Sequence, residues 1–156
     1  MKKTIGNQSK NLIKKANKKQ EEKMEYVHQL NPDDGATLAP GVSTSFGIAV
    51  AGDRIHVGMV NKARGTGSKL HQHPNEQFNL VMRGTLMGEI NGVEFKAPTG
   101  TVIHIPANTP HSIIADPEDE DVIFYVSKDT SAEITHADPI DGKADGARFE
   151  SGFEES

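Results

Sequence analysis

The chain lacks cysteine and tryptophan, and it contains only two tyrosines. Without cysteine there is no disulfide, iron–sulfur cluster or thiol nucleophile, so any metal must be bound by nitrogen and oxygen ligands. No apolar run approaches the ~20 residues that a membrane span needs, and no apolar signal segment follows the N-terminal lysines. These absences predict a cytoplasmic protein with no membrane partner.

Charge is distributed unevenly along the chain. Residues 1–23 carry eight lysines against two glutamates, whereas the remainder carries nine basic and twenty acidic side chains. An acidic body disfavours a phosphate backbone, so no nucleic-acid partner is expected for the domain itself. Residues 1–30 are predicted to form a basic N-terminal arm, helical or disordered, and an arm that binds nucleic acid or an anionic membrane is the alternative.

From residue 43 onward the apolar residues recur in short segments with a period close to two, as in residues 54–60 and 77–82. This pattern predicts about eight β-strands, and strands separated by Gly and Pro indicate a sandwich or barrel. Asn91-Gly92 can supply the positive φ angles of a type I′ hairpin turn. The predicted barrel covers residues 40–127, and the acidic, Gly-rich residues 128–156 form an extension that either wraps the barrel or hangs loose.

His71 and His73 are two residues apart, so on a strand they face the same side and can bind one ion. They lie in a longer frame: Gly65, five residues, His71-Gln72-His73, three residues, Gln77, six residues, Gly84. This frame resembles the first motif of the cupin family, G-x5-H-x-H-x3-E-x6-G. The one departure is Gln77, which replaces Glu.

The second cupin motif, G-x5-P-x-G-x2-H-x3-N, is similar to the segment from Gly100 through Pro106 and His111 to Ala115. Two positions depart: Ala115 replaces the final Asn, and Asn108 replaces a glycine. Asn best tolerates the left-handed conformation that a turn glycine adopts. The resemblance implies an antiparallel double-stranded β-helix, also called a jelly-roll or cupin barrel. It also implies a metal held by both histidines of the first motif and by His111.

The fourth ligand is either Gln77 or Glu76. Strand alternation places residues 71, 73, 75 and 77 on one face and Glu76 on the other, which favours Gln77. A bulge at Pro74-Asn75 would instead turn Glu76 inward. Three imidazoles and an amide oxygen suit one divalent transition metal, Fe(II), Mn(II), Ni(II), Cu(II) or Zn(II). Because all four ligands are neutral, the metal keeps its full charge, and we expect it to favour anionic chelating ligands.

The resemblance implies either a metal-dependent enzyme or a module that binds a small molecule without turnover. The enzyme would be a dioxygenase or an isomerase or lyase, acting on a small anionic or oxygen-rich substrate. His104 and Glu76 are the candidate acid and base, although His104 is equally compatible with simple packing. His136 is expected to be solvated outside the barrel. Small cupins commonly pair, so the resemblance also implies a homodimer.

Two cupin subfamilies fit the sequence poorly. Cupin lyases that act on sulfonium propionates use a tyrosine where Asn79 stands. Uronate-processing cupins share the Gln ligand, but their D-x-F-x-P-x-R tail has no counterpart at residues 125–129. The sequence therefore leaves the substrate open.

Overall fold

A computed structural model describes residues 26–155 of the chain. The predicted N-terminal arm lies outside the described residues, apart from residues 26–30. Within the described part, no helix has the length and apolar character needed to cross a membrane.

Thirteen strands make up the regular structure of residues 26–155. In chain order they are β1 (Ala36–Thr37), β2 (Phe46–Ala51), β3 (Ile55–Lys62), β4 (Thr66–Gly67), β5 (His71–Gln72), β6 (Gln77–Arg83), β7 (Thr85–Ile90), β8 (Val93–Pro98), β9 (Val102–Ile105), β10 (His111–Ala115), β11 (Val122–Asp129), β12 (Asp138–Pro139) and β13 (Arg148–Phe149).

The strands form two antiparallel sheets. The first has the order β1-β2-β3-β11-β6-β9. The second has the order β12-β5-β10-β4-β13, with β7 also paired to β10 and β8 paired to β7. Sequence neighbours such as β6 and β7 lie in different sheets, which is the crossing pattern of a jelly roll. The predicted all-β antiparallel barrel is confirmed.

The core lies between the sheets because the strands alternate between buried and partly exposed residues. On β11, Val122, Phe124 and Val126 are at most 5% exposed, and the residues between them are only partly buried. Val60 of β3 and Leu86 of β7 join the same apolar cluster. Burial of this kind stabilises a fold by roughly 1.5–3 kcal/mol for each large aliphatic side chain.

Two asparagines adopt the left-handed conformation that their turns require. Asn91 and Gly92 have φ angles of 51° and 78°, as a type I′ turn demands, and they join β7 to β8. Asn108 has a φ of 54°, so it does take the conformation expected of the motif glycine that it replaces.

The C-terminal extension wraps the barrel. Strand β11 continues to Asp129, two residues beyond the predicted end of the barrel. The alternation of buried and partly buried residues extends through Lys128, which is buried. Further along, β12 pairs with β5, and β13 pairs with β4. The Phe153 side chain then covers Gly65, where an added Cβ would lie 2.3 Å from the ring. The extension therefore covers the first motif.

Candidate metal centre

Three histidines meet where β5 and β10 run side by side. His71 and His111 are direct partners in the antiparallel register, and His73 follows two residues after His71. The ring centroid of His111 lies 4.2 Å from that of His71 and 4.9 Å from that of His73. All three side chains are buried, and one ring nitrogen from each lies within 4.8 Å of the others. This is the spacing of a group that can bind one ion.

The loop after His73 is fixed by hydrogen bonds. The buried Asn75 side chain donates through Nδ2 to the carbonyls of Asp129 and Ala132, at 2.7 and 2.8 Å. The amide of Asn108 donates to the His73 carbonyl at 2.8 Å. These contacts join the two motifs, and they hold His73 beside its partners.

Each histidine ring is oriented by a backbone carbonyl. Nδ1 of His71, His73 and His111 donates to the carbonyls of Lys69, Asn75 and Thr109, at 2.8, 3.0 and 2.8 Å. Because a carbonyl only accepts, the proton resides on Nδ1, and each Nε2 keeps a free lone pair. Nε2 of His73 is buried and has no hydrogen-bond partner among residues 26–155. Convergent, unprotonated Nε2 atoms with oriented rings fit a divalent transition metal.

The histidines are neutral at physiological pH. Burial, reinforced by the neighbouring His111, lowers the pKa of His71 to about 3. Burial also lowers the pKa of His73 and of His111 to about 4, with Lys128 adding to the shift in both. Since a metal binds the unprotonated imidazole, these ligands need not lose a proton before binding one.

Gln77 and Glu76 face opposite sides of β6. Gln77 is 7% exposed, lies beside His73 and lines the same cavity as His71. Its Nε2 donates to Asn79 Oδ1 at 2.8 Å, so its Oε1 is the atom left for another partner. Glu76 is exposed. The geometry favours Gln77 over Glu76, and its role as a ligand stays a prediction.

The candidate acid and base lie on the outer surface. His104 Nε2 pairs with Glu76 Oε1 at 2.8 Å, and their side chains are 48% and 52% exposed. The His104 ring stacks on Phe78 at 4.5 Å. Ile103 and Ile105 occupy the inward phase of β9, which turns His104 outward. His104, a candidate acid or base, is therefore not among the residues that line the histidine cavity.

A cavity of about 70 Å³ adjoins the histidines, and no Asp or Glu of residues 26–155 lines its wall. Two buried lysines do: Lys62 Nζ donates to Ser43 Oγ at 3.1 Å, and Lys128 Nζ donates to the Ile134 carbonyl at 2.9 Å. Burial, together with the charge of Lys128, lowers the pKa of Lys62 to about 7. Burial lowers the pKa of Lys128 to about 8. The cavity is therefore electropositive below about pH 7, where both lysines are protonated.

Among the residues of the cavity wall to which sequence reasoning gave no role are four with nitrogen-bearing side chains: Lys62, Lys128, Asn79 and His136. The first three share the inward strand phase of Val60, Val126 and Gln77, and this phase is the signal that could have identified them. His136, expected to be solvated, lies at the cavity wall with its side chain 42% exposed and paired to Asp138 at 2.9 Å. No periodic pattern marks its segment.

The fold is a small antiparallel β-barrel, and its buried histidine group could bind a metal. Residues 58–127 match the family model of the cupin domain, and no curated protein matches the chain. The chain is therefore a small protein that contains a cupin domain.

Solved structures with the same fold include a Cupin 2 conserved barrel domain protein from Salinispora arenicola (16% identity, TM-score 0.54) and KdgF from Halomonas sp. (20% identity, TM-score 0.53). The first alignment covers 65% of this chain and 86% of the other, and the second covers 68% and 89%. The DMSP lyase DddQ from Ruegeria pomeroyi is similar over 59% of this chain and 46% of its own (19% identity, TM-score 0.52). At these identities the likeness concerns the fold alone.

Proposed function

We propose that this protein is a metal-dependent enzyme that acts on a small anionic or oxygen-rich organic molecule. The observation that carries the proposal is the convergence of three neutral, buried imidazoles, two of which, His71 and His111, line a cavity with no carboxylate from residues 26–155 in its wall. A structural metal would need no such cavity, whereas a catalytic site keeps room for a ligand.

His71, His73 and His111 would hold the metal through Nε2, with Gln77 Oε1 as the fourth ligand. When bound, a divalent transition metal supplies Lewis-acid chemistry, and redox chemistry if it is iron, manganese or copper. The protein supplies orientation, because three backbone carbonyls hold the imidazoles in one tautomer. It also supplies positive potential, because none of the four ligands carries charge and two lysines line the same cavity.

The test begins with metal analysis of protein expressed in minimal medium. The metal-loaded protein is then incubated with short-chain keto acids, hydroxy acids, diketones and uronates, with and without O2. Oxygen uptake by iron-loaded protein would indicate a dioxygenase, and turnover without oxygen would indicate an isomerase or lyase. The His73→Ala variant should lose both metal and turnover, and a variant that keeps both would refute the site.

A non-catalytic binding module is the second candidate function. It is favoured by the position of the predicted acid and base, because His104 and Glu76 pair with each other on the outer surface. A module of this kind would bind its ligand tightly and release it unchanged. Product analysis after prolonged incubation separates the two functions.

We also propose that the protein forms a homodimer through the outer face of β6 and β9. Phe78, Leu80 and Met82 alternate along that face and are 44%, 39% and 49% exposed. Val102, the β9 partner of Leu80, is 58% exposed. A contiguous apolar patch is typical of an interaction site. In sedimentation velocity we expect Leu80→Glu to dissociate the dimer, while Val93→Glu on β8 leaves it intact. A monomeric wild type would contradict this assignment.

A further inference from the structure

Lys62 and Lys128 reach one cavity from opposite ends of the same strand pair. Lys62 pairs with Val122 at one end of the β3–β11 ladder, and Lys128 pairs with His56 near the other end. Six residues of β11 separate these positions, which is roughly 20 Å along the strand. Both side chains nevertheless line the histidine cavity, and they are only 2% and 9% exposed. Two ammonium groups therefore approach the same space.

No carboxylate among residues 26–155 neutralises either ammonium. Within these residues each has one hydrogen bond, to the neutral oxygen of Ser43 or of Ile134. In the part of the chain that the structure describes, neither forms an ion pair with a carboxylate. By contrast, Lys69 pairs with Asp145 outside the cavity, and Lys96 pairs with Asp116. A buried charge normally has an opposite partner, so these two leave a place for an anion.

Asn79 adds a third unused donor to the same wall. Its Oδ1 accepts from Gln77, which turns Nδ2 the other way. Nδ2 is buried and has no hydrogen-bond partner within residues 26–155. Asn79 is 1% exposed and lines the cavity, so its free N–H can be satisfied by a ligand. The three groups offer hydrogen-bond donors to a ligand, and no acidic side chain of the described residues lines the wall beside them.

We propose that Lys62, Lys128 and Asn79 form an anion-binding subsite and that the ligand of this protein is a small dianion. One acidic group faces the histidines, and the second is bound by the lysines and by the Asn79 amide. This inference rests on the proposed function, because the first acidic group needs the metal. It goes beyond that function by naming the class of ligand and the residues that select it.

The cavity volume limits the size of that dianion. A buried water needs roughly 10–15 Å³ of such volume, so about 70 Å³ accommodates roughly five to seven water-sized groups. A dicarboxylate of three or four carbons is of this size. The ligand class is therefore a short-chain dicarboxylate.

Malonate and malonamate test the proposal because they have the same shape and differ in one acidic group. Binding of each to the Ni²⁺-loaded protein is measured by titration calorimetry, for the wild type and for the Lys62→Met, Lys128→Met and Lys143→Met variants. Lys143 is an exposed lysine outside the cavity, so its variant controls for the loss of one positive charge. Lys62→Gln and Lys128→Gln, which keep a hydrogen-bond donor, replace any methionine variant that does not fold.

We expect the wild type and Lys143→Met to bind malonate about tenfold or more tightly than malonamate, because hydrogen bonds to charged groups are the strong ones. The two cavity variants should lose this preference while their Ni²⁺ content stays unchanged. A wild type that binds Ni²⁺ but does not distinguish the two probes would overturn the proposal. So would cavity variants that keep the preference.

Chelator-treated protein separates this inference from the proposed function. If the wild type binds no metal, the proposed function fails. The subsite is then judged by weak malonate binding to the metal-free protein, which should still disappear in Lys62→Met and Lys128→Met. Lysine-independent binding, or no binding, would refute the subsite in that case.

Discussion

Replacing Lys62 with methionine should stabilise the metal-free protein. The side chain is 2% exposed, and its ammonium has only a hydrogen bond to Ser43 Oγ at 3.1 Å. Methionine fills a similar volume with apolar atoms, so the change removes the charge and leaves most of the packing in place. Replacing buried charges by apolar residues of similar size is often stabilising.

The magnitude follows from the pKa of Lys62, which burial lowers from 10.5 to about 7. Each pKa unit corresponds to 1.36 kcal/mol, so the charged form is disfavoured by about 5 kcal/mol below pH 7. Loss of the Ser43 hydrogen bond offsets about 1 kcal/mol of this. Local relaxation and water entry reduce it further, so we expect a gain of about 2–4 kcal/mol near pH 6.

The gain should shrink as the pH rises. Between pH 7 and pH 10.5 the unfolded chain keeps the lysine proton that the folded protein has lost, so the wild type becomes more stable with increasing pH. Below about pH 7 both states are protonated, and the full cost is present. The stability difference between Lys62→Met and wild type is therefore largest at pH 6 and smaller at pH 9.

Urea denaturation of chelator-treated protein at several pH values from 6 to 9 measures this difference. Lys143→Met is the matched control, and an exposed site of this kind should change stability by less than about 0.5 kcal/mol. The reasoning is refuted if Lys62→Met is less stable than wild type at pH 6. A gap that does not change with pH would refute the assigned cause.

Three further predictions concern the histidines, the fourth ligand and a motif glycine. Metal affinity, measured with a competing chelator, should stay constant from pH 8 to about pH 5.5, because the pKa values of the three histidines lie at about 3 to 4. A fall in affinity centred near pH 6.5 would contradict these lowered pKa values. Gln77→Glu should weaken malonate binding to the metal-loaded protein about tenfold, because it places a negative charge at the metal. Glu76→Gln on the outer face should leave malonate binding unchanged. Equal effects of the two substitutions would show that strand phase does not decide which residue is the fourth metal ligand. Gly65→Ala should lower the free energy of unfolding by about 3 kcal/mol, because φ is +73° and the new Cβ meets the Phe153 ring. Gly100→Ala, at a φ of +89° and in open space, should lower it by about 1–2 kcal/mol from backbone strain alone. Similar losses for both variants would refute the contact with Phe153.

Motif spacing predicted the grouping of the histidines because it encodes register. His71 and His111 are 40 positions apart in the sequence, yet each begins a strand, and the two strands pair at those residues. Strand alternation likewise placed Gln77 and Glu76 on opposite faces, because the direction of a side chain depends only on the pleat of its own strand. Strand register and side-chain direction can therefore be predicted once the strands are known.

Strand phase carried information that the functional predictions did not use. Lys62 and Lys128 have the inward phase of their strands, although the sequence analysis assigned them no role. His104 was a candidate acid or base, yet Ile103 and Ile105 occupy the inward phase of β9. Phase was the better guide in both cases, because the pleat fixes direction whatever the side chain.

The C-terminal strands had no predictable signal. β12 and β13 are two residues long, and no period can be detected in two residues. Their positions are set by partners more than 60 residues away in the sequence, β5 and β4. Contacts of that kind depend on the finished barrel, so they are absent from any local pattern.

The two buried lysines connect stability with function. The barrel does not need them, since an apolar side chain would fill either position at lower cost. Nor does the metal centre need them, because three oriented imidazoles and an amide can form it alone. Their charges become favourable only when an anion enters the cavity, where an ion pair in a low-dielectric environment is strong. A ligand that carries such a charge would therefore stabilise the fold as it binds, and the thermal stability of the metal-loaded protein should rise with malonate concentration more than with malonamate.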